Sequence, residues 1–310
     1  MKIKIFGSLA YDNIITSDKP FNEILDTTLE HQIQGSFYTK TLKKEFGGCA
    51  GNIAYSLKLL NLDSSIYTSL GENDCDIYLN RLKKLNIDIS NISIVKDEFT
   101  AQAHIINDLH NNQIISFYAG ALLDDIDIDN IVTNNNDIFI LSPENKNNIL
   151  KLAKELFNKK IDFIFDPGQS LSTYSKEDLL YILPKTHTLI LNDFELKSML
   201  DTIGLSFEYI TDNILNIIIT KGHEGVELFR DGVKAKIKAY EVKDAIDPTG
   251  CGDSFRAGFI YGIRNGFSLG ESCMYGNAIA SFVIEVFGTQ NHKFNIEEVK
   301  KRVTVIGENS

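Results

Sequence analysis

The chain has 310 residues and a formal net charge of −11, from 31 Lys and Arg against 42 Asp and Glu. This acidic balance argues against a surface that neutralises a phosphate backbone, so nucleic acid and anionic membranes are poor partners. The four cysteines form no C-x-x-C pair, and the sequence contains neither a signal-peptide pattern nor an apolar run of bilayer length. These features predict a cytoplasmic protein with reduced thiols.

The first predicted strand covers residues 1–7 and leads into Gly7-Ser8-Leu-Ala-Tyr-Asp12. A carboxylate at the end of such a strand can accept two hydrogen bonds from a vicinal diol, which suits ribose. By itself, however, an isolated Asp is more often a turn or cap residue.

The second motif is Phe46-Gly-Gly-Cys-Ala-Gly-Asn52, which runs into an amphipathic helical pattern. Gly47 and Gly48 permit close backbone approach, and the Asn52 amide can both donate and accept hydrogen bonds to sugar hydroxyls. A glycine cluster that merely starts a helix explains the motif equally well.

Two stretches, about residues 12–45 and 98–118, interrupt the strand–helix rhythm. The second reads as a hairpin of Ala101–Asn107 and Gln113–Tyr118 around Asn111 and Asn112. We expect the two stretches to form a small antiparallel β lid that excludes water from a reacting group. The alternative is a decorative insertion.

From about residue 137, short apolar strands alternate with amphipathic helices, which predicts βαβ units and a parallel sheet. The predicted strands are Ile138–Leu141 and residues 163–166, 188–191 and 217–220. Because ligands bind beyond the carboxyl ends of such strands, the polar segments that follow them should meet at one rim.

The strongest motif is Asp247-Pro-Thr-Gly-Cys-Gly-Asp253, followed by a helical pattern. Gly250, Cys251 and Gly252 would turn backbone amides towards an anion at a helix start. Asp253 then makes sense as the base that takes a proton from a hydroxyl, and we expect the surrounding N–H donors to favour its charged form. The alternative is a Gly-rich turn in which Asp253 only complements the helix N-terminus.

Other phosphate and metal motifs do not fit. A dinucleotide fingerprint fails because Phe255 occupies the position of the third glycine, and the chain contains no P-loop. The six histidines show no zinc-ligand spacing.

Together, the G-G-x-x-G-N and D-P-T-G-C-G-D motifs resemble the paired signatures of the ribokinase or pfkB-type carbohydrate kinases over the whole chain. Within that family, the segments around Asp12, Ser36, Asn52, Phe117 and Asp166-Pro-Gly-Gln169 are similar to the bacterial adenosine kinases. The resemblance implies one α/β domain over residues 1–310, with a three-layer α/β/α fold, a mainly parallel central sheet and the lid. It also implies a cytoplasmic, ATP- and Mg²⁺-dependent kinase that acts on adenosine in purine salvage.

The resemblance also implies roles for individual residues. Asp12, Gly48 and Asn52 would hold the ribose, Asp253 would deprotonate the 5′-hydroxyl, and Ser8, Ser36, Phe117 and Gln169 would contact the base. Asn192 and Glu195 match a family N-x-x-E motif that positions Mg²⁺ through water, although they also fit a helix cap. The residues that match the nucleotide side are Thr220, Gly222, Gly225 and Asn277.

Several alternatives remain open at this level. Arg256 is near enough to Asp253 to reach phosphates or is a solvated helix residue. The acceptor is a nucleoside or a sugar such as ribose or fructose, and a nucleoside-binding regulatory protein is the non-enzyme alternative. The sequence is compatible with a monomer or with a homodimer formed through the lid.

Overall fold

The structure, a computed structural model, describes residues 1–29, 32–110 and 112–310. In chain order, its strands are β1 (Ile3–Phe6), β2 (Ala10–Ser17), β3 (Leu25–Leu29), β4 (Gln32–Gly35), β5 (Thr39–Gly47), β6 (Ser64–Gly71), β7 (Ile92–Val95), β8 (Ala101–Asn107), β9 (Gln113–Tyr118), β10 (Ile138–Leu141), β11 (Phe163–Phe165), β12 (Thr188–Asn192), β13 (Asn216–Thr220), β14 (Val226–Arg230) and β15 (Val233–Ile237). Its helices are α1 (Phe21–Ile24), α2 (Cys49–Leu59), α3 (Cys75–Lys84), α4 (Lys146–Asn158), α5 (Lys176–Ile182), α6 (Asp193–Ile203), α7 (Phe207–Asn213), α8 (Cys251–Arg264), α9 (Leu269–Val283) and α10 (Ile296–Asn309).

The main sheet has nine strands in the order β15-β14-β13-β12-β11-β10-β1-β6-β7. The strands from β13 to β7 are parallel, while β14 and β15 form antiparallel pairs at one edge. The four strands predicted after residue 137 are confirmed as β10 to β13, each within one residue of its predicted bounds. Their parallel direction brings their carboxyl ends to one rim.

A second sheet, with the order β5-β2-β8-β9, extends from that rim. The predicted hairpin is confirmed as β8 and β9, and Asn111 at its turn lies outside the described residues. The outer pairs of this sheet are antiparallel, whereas the central β2 and β8 are parallel. Because β2 continues from β1 and β8 follows β7, two parallel strands of the main sheet both lead outward in the same direction. Strands β3 and β4 form a separate pair.

Alternating side chains of the main sheet build a core on each face. Ile5, Ile140 and Ile190 pack on the face covered by α2, α3, α8, α9 and α10. Phe139 and Leu191 pack on the opposite face, under α4 to α7. The predicted three-layer α/β/α fold is confirmed. Of the helices in the described ranges, none combines the length and apolar character needed to cross a bilayer.

Candidate active site

The start of α2 is tied to the end of β1. Ser8, at 3% exposure, accepts a hydrogen bond from the Cys49 amide through its hydroxyl (3.2 Å) and one from the Ala50 amide through its carbonyl (3.0 Å). Gly48 has φ of +86°, and a Cβ there would lie 2.5 Å from the Ser8 carbonyl oxygen. Only glycine fits this approach, so the G-G pair is explained by backbone geometry as much as by ligand access.

Asp12 on β2 lies beside this turn. A Cβ at Gly47 would lie 2.4 Å from an Asp12 carboxylate oxygen, so the glycine gives that carboxylate its space. Burial, followed by the charges of Asp253, Glu45 and Asp247, raises the pKa of Asp12 to about 6. A carboxylate beside the start of α2 can accept hydrogen bonds from hydroxyl groups.

The central contact joins the two motifs. Asn52 Nδ2 donates to Asp253 Oδ2 at 2.7 Å across a sequence separation of 201 residues. Asn52 is buried at 3% exposure, and Asp253 lies in the first turn of α8, which starts after Gly250 with φ of +80°. The acid and the amide therefore converge where the first turns of α2 and α8 meet.

The pKa of Asp253 is shifted in the direction opposite to the predicted one, which was that its charged form is favoured. Burial is the largest influence and raises its pKa to about 6; Asp166 adds to the rise, whereas Asn52 and Arg256 oppose it. Burial prevails because the folded protein removes most of the hydration that the carboxylate would have in water. At neutral pH the group is still mainly ionised, so it can accept a proton.

Arg256 forms a buried ion pair with Asp166 that the sequence did not predict. Its Nε and Nη2 both donate to the Asp166 carboxylate at 2.6 Å, and its Nη1 donates to the Gly252 carbonyl at 2.9 Å. The solvated alternative is wrong, because the residue is 5% exposed. A direct phosphate contact stays a prediction, because three of the five guanidinium N–H groups have acceptors in the protein. Arg256 instead holds the glycine turn against the end of β11.

The side chains that the family resemblance assigns to the nucleobase are spread around the rim. Gln169 is exposed and its Nε2 donates to Cys49 Sγ at 3.5 Å. Phe117 on β9 is 53% exposed and pairs with Ala103, which in turn pairs with Asp12. Because residues directly paired across strands share one face, the Phe117 ring lies on the Asp12 face of the second sheet. Ser36 is exposed between β4 and β5.

On the nucleotide side, Asn192 ends β12 and pairs with Thr220 at the end of β13. Asn192 and Glu195 form a capping box, in which each side chain accepts a hydrogen bond from the other's backbone amide at 2.8 and 2.7 Å. The helix-cap alternative is therefore present in the structure. One Glu195 oxygen, Oε2, serves the cap. Burial is the largest influence on this carboxyl and raises its pKa.

The other residues predicted to contact the nucleotide, Gly222, Gly225 and Asn277, lie beside the hairpin of β14 and β15. Gly222 has φ of +55° and open space around it, whereas a Cβ at Gly225 would lie 2.1 Å from the Ile237 carbonyl oxygen. Asn277 is buried and its Nδ2 donates to the Lys238 carbonyl at 2.8 Å. Cys251 Sγ lies 3.6 Å from the Ala280 carbonyl oxygen. Asn277 therefore holds the segment that follows β15.

Sequence reasoning missed two residues at the site. Asp166 was noted only as part of a rim segment, and its ion pair with Arg256 has no local sequence signal. Gln290, which donates to Asn52 Oδ1 at 3.1 Å, follows no motif that we identified. Neither could be found from spacing, because each partner lies 90 or more residues away.

Comparison with known proteins finds relatives that cover most of the chain. The sequence pattern of the pfkB family carbohydrate kinases matches residues 3–295. A nucleoside kinase of Methanocaldococcus jannaschii is 32% identical over 269 residues, which are 86% of this chain and 88% of that protein. The structure of Burkholderia thailandensis nucleoside kinase in complex with inosine has a TM-score of 0.87 at 33% identity, covering 98% of this chain and 97% of that one. The same kinase in complex with ADP-inosine has a TM-score of 0.83 and covers 98% of this chain and 95% of that one.

Proposed function

Because the chain belongs to the pfkB family of carbohydrate kinases, and is thus a phosphotransferase with an alcohol acceptor, we propose that it transfers the γ-phosphate of ATP to the 5′-hydroxyl of a nucleoside. Adenosine is the first candidate acceptor. The observation that carries the proposal is the 2.7 Å hydrogen bond between Asn52 and Asp253, because it joins an amide suited to bind hydroxyl groups and a carboxylate suited to accept a proton.

In this proposal, the acceptor lies between the two sheets. Asp12 and Asn52 hold the ribose hydroxyls, and the exposed Phe117 ring on the Asp12 face covers the base. The complexes of the Burkholderia thailandensis nucleoside kinase with inosine and with ADP-inosine support a nucleoside over a free sugar, since inosine has the same ribose as adenosine and a purine base. Gln169 would reach the acceptor from the start of α2, where its Nε2 contacts Cys49 Sγ at 3.5 Å.

The chemistry follows from the α8 turn. Asp253 accepts the proton of the acceptor's 5′-hydroxyl. The 5′-oxygen then forms its bond to the γ-phosphorus as the bond between that phosphorus and the departing ADP breaks. The amides of Gly250, Cys251 and Gly252 stabilise the phosphate oxygens, and most of the acceleration comes from this alignment. Asn192, Thr220 and Gly222 lie where the nucleotide phosphates and base would approach the rim.

Mg²⁺ would be held mainly by the nucleotide. Among the residues that the structure describes, no group of three or more acidic, His or Cys side chains could hold a metal ion. Glu195 still offers one carboxylate oxygen beyond its cap, which suits a contact through water because Mg²⁺ keeps several waters. The bound ion would neutralise phosphate charge. The proposal extends to purine salvage in the cytoplasm, which fits the four free thiols.

The test is an ADP-release assay with ATP, Mg²⁺ and separate acceptors: adenosine, inosine, cytidine, ribose and fructose. We expect turnover with a nucleoside and a nucleoside monophosphate as product. Asp253→Asn should lower turnover by about 10²–10⁴-fold because it removes proton acceptance at little cost in shape. Asp201→Asn, on the exposed side of α6, is the matched control.

Each other outcome rejects part of the proposal. Turnover only with ribose or fructose would identify a sugar kinase. Nucleoside binding by calorimetry without turnover would identify a binding protein. Normal turnover in the Asp253→Asn variant would remove the base assignment.

A further inference from the structure

Gln290 is a buried residue behind the proposed acceptor pocket, with 3% exposure. Its Nε2 donates to Asn52 Oδ1 at 3.1 Å and to the Tyr78 hydroxyl at 2.9 Å. The Tyr78 hydroxyl in turn donates to the carbonyl of Gly47 at 2.7 Å. One amide therefore contacts the residue that bonds Asp253 directly and, through the Tyr78 hydroxyl, is linked to the end of β5.

This contact fixes which way the Asn52 amide faces. With Oδ1 turned to the Gln290 donor, Nδ2 must face Asp253, as observed. A reversed amide would place Oδ1 against the Asp253 carboxylate and Nδ2 against the Gln290 N–H group, which would be two unfavourable contacts. We propose that Gln290 is a positioning residue that sets the orientation of Asn52 and, through it, of Asp253. This inference rests on the proposed function of these two residues.

The backbone around Gln290 is itself anchored. The Thr289 hydroxyl donates to the Phe46 carbonyl at 2.8 Å, and Arg81 Nη2 donates to the Gln290 carbonyl at 3.1 Å. Two residues on, the buried His292 ring contacts the Ser56 hydroxyl at 3.1 Å. A segment held at three points supplies a fixed reference for the Asn52 amide, which a surface glutamine would not.

The test uses two substitutions that differ in hydrogen-bonding capacity. Gln290→Met keeps length without a donor at any pH. Gln290→Glu carries a donor only when its carboxyl is protonated, so it should recover function on acidification. Of the titratable or charged groups around this position, Tyr78 and Arg81 on α3 contact Gln290 directly. Asp253 is reached through Asn52, Asp12 acts on Tyr78, and His292 lies two residues further along the chain.

We expect Gln290→Met to lower kcat on the order of 10-fold, with the KM for ATP unchanged, because a misplaced group affects the reacting geometry more than nucleotide binding. The ratio of Gln290→Glu to wild-type kcat should rise as the pH falls from about 8 to about 6, whereas the ratio for Gln290→Met should stay flat. Asn265→Asp makes the same amide-to-acid change at the exposed end of α8 and should give a flat ratio near one.

Wild-type kcat in both variants, or equal pH-independent losses in both, would overturn the positioning role. If the methionine variant does not fold, the pH dependence of the glutamate variant decides. A wild-type protein that phosphorylates no acceptor would instead reject the proposed function. In that case, the side-chain amide signals of Asn52 in NMR spectra of wild type and Gln290→Met still test the orientation, and unchanged signals would overturn it.

Discussion

At the scale of single residues, the raised pKa of Asp253 predicts how activity depends on pH. The base works only when ionised, and its pKa is about 6, so kcat should rise through about pH 6 and then level off. Asp12 has a pKa of about 6 too, so the Asp12→Asn variant is the control. It should keep the inflection in kcat, moved slightly to lower pH because a like charge is gone. A flat kcat from about pH 5 to about pH 8 would contradict the assignment.

The ion pair of Asp166 and Arg256 gives a prediction about stability. Asp166 is 1% exposed, so Asp166→Asn would leave the Arg256 guanidinium buried without its counter-charge. We expect the free energy of unfolding, measured in urea, to fall by about 3 kcal/mol. Asp129→Asn breaks an exposed pair with Lys151 and should change it little. Equal losses in both variants would show that burial of the pair is not what matters.

The site shows which of its features the sequence could predict and which it could not. The turn with Asp253 and the turn with Asn52 each carry a local reason for their residues, so both could be found from the sequence. Their 2.7 Å contact is a tertiary fact, as is the capture of Arg256 by Asp166. Spacing along the chain suggested a phosphate contact or a solvated position for Arg256. It could not reveal the carboxylate of Asp166, which follows a distant strand.

At the scale of elements, the sheet β5-β2-β8-β9 is the proposed lid. Strand β9 lies at the edge of this sheet beside β8 and is exposed along its whole length, so its amides should exchange readily without ligand. Acceptor binding should slow hydrogen exchange in β8 and β9, because closure over Asp12 orders the sheet. The antiparallel hairpin of β14 and β15, at the far edge of the main sheet, is the internal control. Equal exchange of β8 and β9 with and without acceptor would show that this sheet does not close.

Element type followed from sequence more reliably than pairing did. Strands β8 to β13 have apolar runs bounded by turn residues, so their positions could be predicted. The parallel pairing of β2 with β8 could not, since it depends on β1 and β7 leading into them from one parallel sheet. A hairpin forms locally, whereas the second partner of its inner strand, β8, is set by the whole topology.

At the scale of the whole molecule, burial raises the pKa of several acids, including the two that the proposed mechanism needs in charged form. Glu144, just after β10, is 4% exposed; Oε2 accepts from the Thr68 hydroxyl at 2.9 Å, and Oε1 has no partner within the described ranges. Burial raises its pKa from 4.5 to about 8. The pKa of Asp12 and that of Asp253 are raised from 3.8 to about 6 for the same main reason. At pH values between its unfolded and folded pKa, each of these acids keeps in the folded state a proton that the unfolded chain releases.

The shares of these acids in the free energy of unfolding should therefore fall as the pH rises, and that of Glu144 should fall between pH 4.5 and about 8. Its share has a slope of about 1 kcal/mol per pH unit, and above about pH 8 it adds no further slope. Glu144→Gln mimics the protonated acid, so it should match the wild type near pH 5 and exceed its stability near pH 7.5 in urea unfolding. Glu308→Gln, on the exposed end of α10, should follow the wild type at both values. A Glu144→Gln variant with the wild-type pH dependence would mean that Glu144 is ionised in the folded protein, and the conflict between stability and charge would then be confined to Asp12 and Asp253.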